Sequence, residues 1–416
     1  MRNVAFSIPS EGPSLPSRIV RIVLKQFYKH TGMQSTFSDL FRELRSADRA
    51  APAVLGDWLP TRRGPGRLEL SQYFNFNLHR LKGLSAQDRA AFVGVRGQKI
   101  LVEILADDYS KILNLDKLTF DHIARGAGLP VPEIFAVYAR RPRPGAFRKL
   151  TNVVELRDFL CEWRRFPIYC KPSYGGSGRD NLQVKGWADG RAMIDGNRTA
   201  SVEELAARLT EPTGFGFLLM ESLRPHDEIA AIAGDAISGV RIHVLRLRKG
   251  PTMFRPVWKI ARRGAIVDNF QHGTSGNLLA SLDVSSGRVE RVVSGRGHHQ
   301  MVNVLHPDTG RRLTGFQLPH WQALREMVRE APELFPGFLC QAWDVAICPN
   351  GPVLLEVNWF GDVDLSQHSY GRGFLEGEFL DLLRERNLER LLKGRSAQYG
   401  VCTNGRLGEL KAHWPY

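Results

Sequence analysis

Hydrophobic positions take two textures along the chain, and the change comes near residue 110. Before it, apolar residues recur at helical spacing in Thr36 to Ala50 and Ser85 to Ala106, separated by a Pro/Gly/Arg loop from Leu59 to Arg67. Beyond it the pattern mixes helical and extended segments. Leu115 to Gly126 reads as a helix stopped by Gly126 and Gly128, Val131 to Tyr138 as an extended run, and Val154 to Trp163 as the start of another helix after the proline-rich basic loop Arg140 to Arg148. The apolar run ahead of Lys171 and the run Phe217 to Glu221 read as strands. In Ser238 to Arg248, residues Arg241, His243, Leu245 and Leu247 alternate with Val240, Ile242, Val244 and Arg246. This marks a strand with one mainly apolar face and Arg241 on the other. Ala342 to Cys348 and Val353 to Val357, joined by the turn signal Pro349-Asn350-Gly351-Pro352, read as a β-hairpin.

Composition narrows the class. At 416 residues and 43% hydrophobic, the chain can bury a large core in two or three domains. No run of about 18 uncharged apolar residues occurs, so no membrane-spanning helix is expected. The first 18 residues lack the uninterrupted apolar stretch of a secretory signal. Five scattered cysteines without a metal-type CxxC pair fit thiols in a reducing cytoplasm and argue against a zinc or disulfide scaffold. The net charge of +14 is spread along the chain, is largely arginine, and comes with no nucleic-acid motif, so no specific nucleic acid is expected as a partner. A basic surface serves nucleotides, acidic sugars or an anionic membrane face equally well. Arg18 to His30 alternates apolar and basic positions at near-helical spacing, which suits a helix packed on the protein's own core or lying on a membrane. The tail from Gly394 is polar and glycine-containing.

The predicted hairpin holds the strongest chemical signal. It brings Asp344 close to Glu356 and Asn358, and the latter two, two residues apart, share a face. Oxygen donors on rigid strands suit a hard cation that also binds phosphate. A second signal is Phe166 to Asn181, where a strand delivers Lys171 and then breaks into a loop with Gly175, Gly176, Ser177 and Gly178. Such a loop can fold its N–H groups around phosphates, although it is neither a Walker A sequence nor GxGxxG, and an ordinary glycine hairpin would look the same. Lys171 can reach the same phosphates as a point charge. Glu221, at a strand end, and Glu228 suit a linker whose backbone meets an adenine edge while an acid accepts from ribose hydroxyls. Arg241 is placed to contact a phosphoryl group or an oxyanion, and Phe254 to Asn277 concentrates Lys259, Arg262, Arg263, Asn269 and His272.

Taken in order, these pieces resemble the ATP-grasp superfamily over roughly residues 112 to 385. The resemblance implies an α+β chain in which two α+β subdomains grip ATP, here 111–225 and 226–393, with a mostly helical extension over 1–110 and a tail over 394–416. It adds Lys117 as a first phosphate lysine and Ser222 beside the hinge acid. The spacing from Asp344 to Glu356 and the Glu356-Val357-Asn358 triplet are similar to those of glutamate-adding ligases that modify a ribosomal protein. The closer resemblance is to the sugar-transfer-associated ATP-grasp family. It rests on Met220 to His226, Gly239-Val240-Arg241-Ile242, Val267-Asp268-Asn269-Phe270, and Leu355 to Trp359 followed by Asp362, Asp364, Gln367 and His368. Two departures fall at the acceptor side. Ser238-Gly239 stands where an asparagine-threonine pair is expected, and Gln271-His272-Gly273 where a glycine pair is expected.

What the resemblance implies is a carboxylate-amine ligase. ATP and magnesium, or manganese in its place, would be held by Asp344, Glu356 and Asn358. Lys117, Lys171, the glycine loop, Glu221, Ser222 and Glu228 would bind the nucleotide. Arg241, Lys259, Arg262, Asn269 and His272 would handle the carboxylate, the acyl phosphate and the amine, with His272 a candidate proton acceptor. The expected substrates are a small carboxylate and an amine or sugar-linked acceptor, in the cytoplasm or at the inner membrane face beside polysaccharide-synthesis machinery. A phosphotransferase on the same grip, or a noncatalytic ATP-binding partner of such machinery, are the alternatives.

Overall fold

A computed structural model describes residues 43–44, 50–81, 83–107, 116–174, 180–194, 198–210, 215–265 and 268–393. The segment Arg18 to His30, the glycine loop at 175–178, the tail from Gly394 and most of Thr36 to Ala50 lie outside the described residues.

Helices α1 (Ala51–Arg63), α2 (Leu70–Asn75), α3 (Ala86–Ala90) and α4 (Val95–Leu105) precede the sheets. The loop expected from Leu59 begins only at Gly64. Buried Val54, Trp58 and Thr61 carry α1 through Pro60, and the Thr61 hydroxyl donates to the Trp58 carbonyl at 2.6 Å. The helix expected from Ser85 to Ala106 is in fact two. The chain breaks at Gly94, whose N–H leaves the helical pattern to donate to the Gly66 carbonyl at 2.8 Å.

The mixed region then builds α5 (Lys117–Gly126), β1 (Ile134–Tyr138), β2 (Arg148–Leu150), α6 (Val153–Glu162), β3 (Ile168–Pro172), β4 (Leu182–Ala188), β5 (Arg191–Ile194), β6 (Arg198–Ala200), α7 (Val202–Arg208) and β7 (Phe217–Glu221). Among the described residues its strands form a seven-stranded sheet ordered β2-β1-β7-β3-β4-β5-β6. Only β1 and β2 pair in parallel. Helices α6 and α7 cover one face through Leu156, Phe159, Leu160 and Leu205.

After α8 (Asp227–Ala233) come β8 (Val240–Leu247), β9 (Gly250–Ile260), β10 (Leu278–Leu282), β11 (Val289–Ser294), β12 (Met301–Val302), α9 (Trp321–Glu330), β13 (Cys340–Cys348) and β14 (Gly351–Asn358). They make a second seven-stranded sheet, ordered β12-β11-β10-β9-β8-β13-β14 and antiparallel throughout. Helices α10 (Asp364–Tyr370), α11 (Gly377–Glu385) and α12 (Glu389–Lys393) follow. This sheet is covered on both faces. Val240, Ile242 and Val244 pack under α9, while Leu245 and Leu247 meet α4 and α11 through Leu101, Leu105, Phe379 and Leu382. Burial of nearly all of β8 and all of β13 follows. Any charge on those strands must therefore find its partner inside the protein.

Helix α5 ties the sheets together. Phe120 and Ala124 belong to the core of the second sheet, whereas Leu118 packs with Ile134, Val137, Leu218 and Met220 of the first. The connection after β7 is also anchored, since the His226 N–H donates to the Ile347 carbonyl of β13 at 2.8 Å. The groups with candidate chemistry collect where these two sheets meet.

Candidate active site between the two sheets

Four neighbouring strands of the second sheet set the charged centre. Asp344 on β13 lies opposite Arg241 on β8 and opposite Glu356 on β14, so one carboxylate stands between a cation and a second acid. The Arg241 guanidinium donates twice, Nε to Oδ1 at 2.6 Å and Nη2 to Oδ2 at 2.7 Å. Lys259 on β9 approaches the same Oδ1 at 3.5 Å and donates to Asp268 at 3.1 Å. Arg241, Lys259 and Asp344 are 9%, 7% and 4% exposed, so this is a desolvated network that stands only because its charges are matched. Burial works to raise the Asp344 pKa, yet Arg241 and Lys259 hold it far below the usual carboxylate range. The Lys259 pKa, by contrast, is raised, burial being outweighed by Asp268 and Asp344. Asn358 donates to Glu356 at 3.3 Å, fixing the two side chains against each other.

The departure at Ser238-Gly239 has a local explanation. The Gly239 N–H donates to Asp268 Oδ2 at 2.7 Å, and a Cβ on residue 239 would sit 3.0 Å from that oxygen. Glycine thus lets Asp268 close on β8 while its other oxygen holds Lys259.

The two lysines expected to meet phosphate come from the other side. Lys117 opens α5, where Asp116 caps the helix by accepting from the Leu118 N–H at 3.3 Å. Asp116 also accepts from the Ser173 hydroxyl, Thr119 and Arg143, while the Lys117 N–H donates to the Ser173 carbonyl at 2.8 Å. Since Ser173 follows the end of β3, this lock fastens Lys117 beside the strand that carries Lys171. Both ammonium groups feel Glu356, and Lys171 also feels Lys117 and Asp344. Burial pushes Lys171 down to about 8 and lowers Lys117 as well, the acids compensating only in part. Tyr174, the last described residue before the glycine loop, stacks on Phe215 with centroids 4.9 Å apart.

At the hinge, Glu221 closes β7. Its N–H donates to the Glu133 carbonyl at 2.8 Å and its carboxylate accepts from the Glu133 N–H at 3.3 Å, so an adenine contact here would fall to the backbone beyond it. Ser222 accepts from Gln183 at 2.7 Å. A pocket of about 480 Å³ opens beside them, lined by Phe135, Phe166, Gln183, Glu221, Ser222 and Leu223 among others. Glu228 is exposed in the first turn of α8, whose N-cap is His226.

The remaining candidates separate. Arg262 is engaged by Asp308 through two bonds of 2.7 and 2.6 Å, away from the Asp344 network. Asn269 is half-buried, and its carbonyl accepts from the Asn277 amide at 2.9 Å. His272 bonds Asp364 at 2.7 Å, and with Asp362 they bring one donor atom each within 4.8 Å of one another. The bond to Asp364 raises His272 to about 9, which puts an imidazolium there at neutral pH. Gln271 and His272 sit at φ 49° and 53°, the left-handed region that favours glycine, which is why a glycine pair is the expected occupant. Two non-glycine residues there cost of order 1–3 kcal/mol each. The loop with Asp362 is seated against Arg241 through Gly361, where a Cβ would lie 2.4 Å from Ala342 Cβ and 3.2 Å from Arg241 Nη1.

Three partners were invisible as such in the sequence. Asp116, Asp268 and Asp308 each set the position of a candidate residue, yet each lies in a loop or at a helix cap with no periodic pattern around it. The helix-cap position of Asp116, just ahead of Lys117, was the one available signal.

Among solved structures the chain is similar to D-alanyl-alanine synthetase A from Vibrio cholerae, at 11% identity over 70% of this chain and 68% of that one, TM-score 0.40. Another is D-alanine–D-alanine ligase from Bacillus anthracis, at 13% identity over 73% and 78%, TM-score 0.37. N5-carboxyaminoimidazole synthase from Aspergillus clavatus matches at 11% over 70% and 62%, TM-score 0.36. Likenesses this distant say nothing of substrate. No curated protein matches the chain in sequence. Residues 105–378, well over half of the chain, match the model of the sugar-transfer associated ATP-grasp family, and the α+β chain with its two facing sheets belongs to that family.

Proposed function

We propose that the protein is an ATP-dependent carboxylate-amine ligase that works through an acyl phosphate, on a sugar-linked or amino-acid-derived precursor of a cell-surface polysaccharide. The observation that carries this reading is that Lys171, left undercompensated, and Lys117, fastened beside it through Ser173, both feel Glu356 on the second sheet. Such an arrangement suits a polyphosphate, whose charge would complete Lys171 and whose metal would meet Glu356. The hinge pocket of about 480 Å³ is in the size range of small-molecule sites and is large enough for a nucleoside base.

Asp344, Glu356 and Asn358 fit magnesium, or manganese, by donor chemistry. All three are hard oxygen ligands, with Asp344 Oδ1 shared by Arg241 and Lys259 and Oδ2 accepting one N–H from Arg241. When bound, the cation would draw charge from the β- and γ-phosphates and hold them in line. Lys171 and Lys117 bind phosphate oxygens. A substrate carboxylate oxygen then forms a bond to the γ-phosphorus as the bond to ADP breaks, a step that asks the protein for position and charge rather than a nucleophile. Arg241, held rigid by Asp344, offers its remaining N–H groups to the transferred phosphoryl and then to the tetrahedral oxyanion. The amine attacks the acyl carbon, phosphate leaves, and the amine's proton is lost.

The test is release of ADP and inorganic phosphate from Mg-ATP with pooled amino acids and sugar nucleotides, with Glu356→Gln as blank. Both products rising together, only when an amine and a carboxylate are present, is the expected result. ADP without free phosphate would make the protein a phosphotransferase, and wild-type turnover in Glu356→Gln would remove Glu356 from the metal site.

A further inference from the structure

Four of the most exposed large apolar side chains among the described residues fall within five positions. Met301, Val302, Val304 and Leu305 are 61%, 65%, 47% and 50% exposed. Neighbouring residues of a strand point to opposite faces, so one of each pair should reach a core. Here both members of β12 are in solvent, which means that the strand overhangs the layered body instead of covering it.

The backbone around it is well organised. Met301 and Val302 pair with Ser294 and Val293 of β11, and the Asn303 N–H donates to the Val292 carbonyl at 2.9 Å. The chain then folds back on itself as Leu305 pairs with Arg312, the Leu313 N–H reaches the Val304 carbonyl at 2.8 Å, and the His306 N–H reaches the Arg311 carbonyl at 2.8 Å. His306 and Leu313 are buried beneath, anchoring the hairpin so that its apolar side chains stay outside. An edge strand with exposed apolar residues and no charge of its own is a liability that proteins normally blunt. Its persistence here calls for an occupant.

Charge decides which. The exposed basic residues Arg311 and Arg312 flank the apolar tip, with His299 exposed just before it. The single carboxylate between Gly295 and Thr314 is Asp308, and it is neutralised by two bonds from Arg262 and one from the Arg263 N–H. Apolar side chains rimmed by cations, with the local acid tied away, match an anionic bilayer, where the apolar tip enters the headgroup region and the cations meet lipid phosphates.

We propose that the hairpin 301–313 is a peripheral docking element for an anionic membrane surface. It lies at the edge of the second sheet, on the far side of β11 and β10 from the charged centre on β9, β8, β13 and β14. The catalytic strands therefore remain clear of the surface to which the hairpin holds them. This does not depend on the ligase reading.

The experiment is flotation of the full chain with vesicles of phosphatidylcholine alone or with phosphatidylglycerol added to about one third, a composition that gives a strong surface potential. Binding is expected with the anionic vesicles only, released by raising salt as screening shortens to a few ångström. Met301→Asp with Val302→Asp, and separately Arg311→Glu with Arg312→Glu, should each lower the bound fraction by about tenfold or more, with the thermal transition unchanged because all four side chains are exposed. Retained binding in both variants would overturn the proposal. So would loss only on Ile19→Asp with Ile22→Asp, which would assign the contact to the N-terminal segment. A wild-type dimer that the Met301→Asp, Val302→Asp change converts to monomer, without vesicle binding, would make the patch a self-interface and overturn it equally.

Discussion

Lys171 on the first sheet and Lys259 on the second are the same residue type, and burial lowers the pKa of both, yet their net shifts run in opposite directions. Lys259 has Asp268 at 3.1 Å and Asp344 at 3.5 Å, and its pKa is raised in spite of desolvation. Lys171 has only the more diffuse pull of Glu356, Asp121 and Asp344 against Lys117, and it drops to about 8. The difference separates two uses of a buried cation. One is matched inside the protein and holds a strand register together. The other is left short of negative charge, and what would complete it is a ligand that brings its own.

The sharpest way to break this comparison is to remove the acid that matches the second sheet. Asp344→Ala leaves Arg241 and Lys259 without their shared partner in a buried site, and stability should fall by about 3–5 kcal/mol, read by urea denaturation. Replacing the pair together, Arg241→Met with Asp344→Leu, should recover most of that loss while turnover stays absent. A double variant no more stable than the single one would show that the pair is not what fails. Asp268→Asn comes next. It keeps an oxygen for the Gly239 N–H but removes charge from Lys259, at a cost of about 1–3 kcal/mol.

On the first sheet the same operation should have the other sign. Lys171→Met removes a poorly compensated cation, so the unfolding midpoint at pH 7 should hold or rise while the KM for ATP increases about tenfold or more, the loss of one charge-assisted phosphate contact. Destabilisation comparable with Asp268→Asn would erase the distinction between the two lysines.

How far the sequence could be read follows the same division. The hairpin with Asp344 opposite Glu356, the strand carrying Lys171, the strand ending in Glu221 and the helix opening at Lys117 were all legible, because apolar periodicity and a Pro-Asn-Gly-Pro turn define register locally. Matching was not legible. Lys259 finds Asp268 nine residues away, Arg241 finds Asp344 after 103, and Arg262 finds Asp308 after 46. Only the tertiary fold brings such pairs together, and a loop carboxylate carries no pattern that announces its partner. The expected list of site cations therefore held Lys171, Lys259 and Arg262 side by side, where the structure makes the first undercompensated and the other two internally satisfied. Misreadings nearer the N-terminus had a similar origin. The sequence pattern puts Pro60 in a loop and reads through Gly94 as helix, whereas packing of Trp58 carries the helix past the first and contact with Gly66 breaks it at the second.

The finest test is a pH profile. In the free protein Lys171 loses its proton at about 8, well below its ordinary 10.5, so kcat/KM for ATP should decline about tenfold per unit above that pH. At saturating ATP the phosphates keep the ammonium charged, and kcat should stay flat over the same range. The stability change has a determined sign. Below about 8 the lysine is charged in both folded and unfolded chains and its burial penalty is felt in full. Between about 8 and 10.5 the unfolded chain binds the extra proton, so stability contributed by this group rises with pH and the penalty is gone once both states are neutral. Stability gained and ATP binding lost should thus set in at the same pH. Lys171→Arg keeps its charge through the whole range, so it should remove the alkaline limb. A limb that persists at the same pH in Lys171→Arg would belong to another group, and the lysine of the first sheet would then be as fully matched as its counterpart on the second.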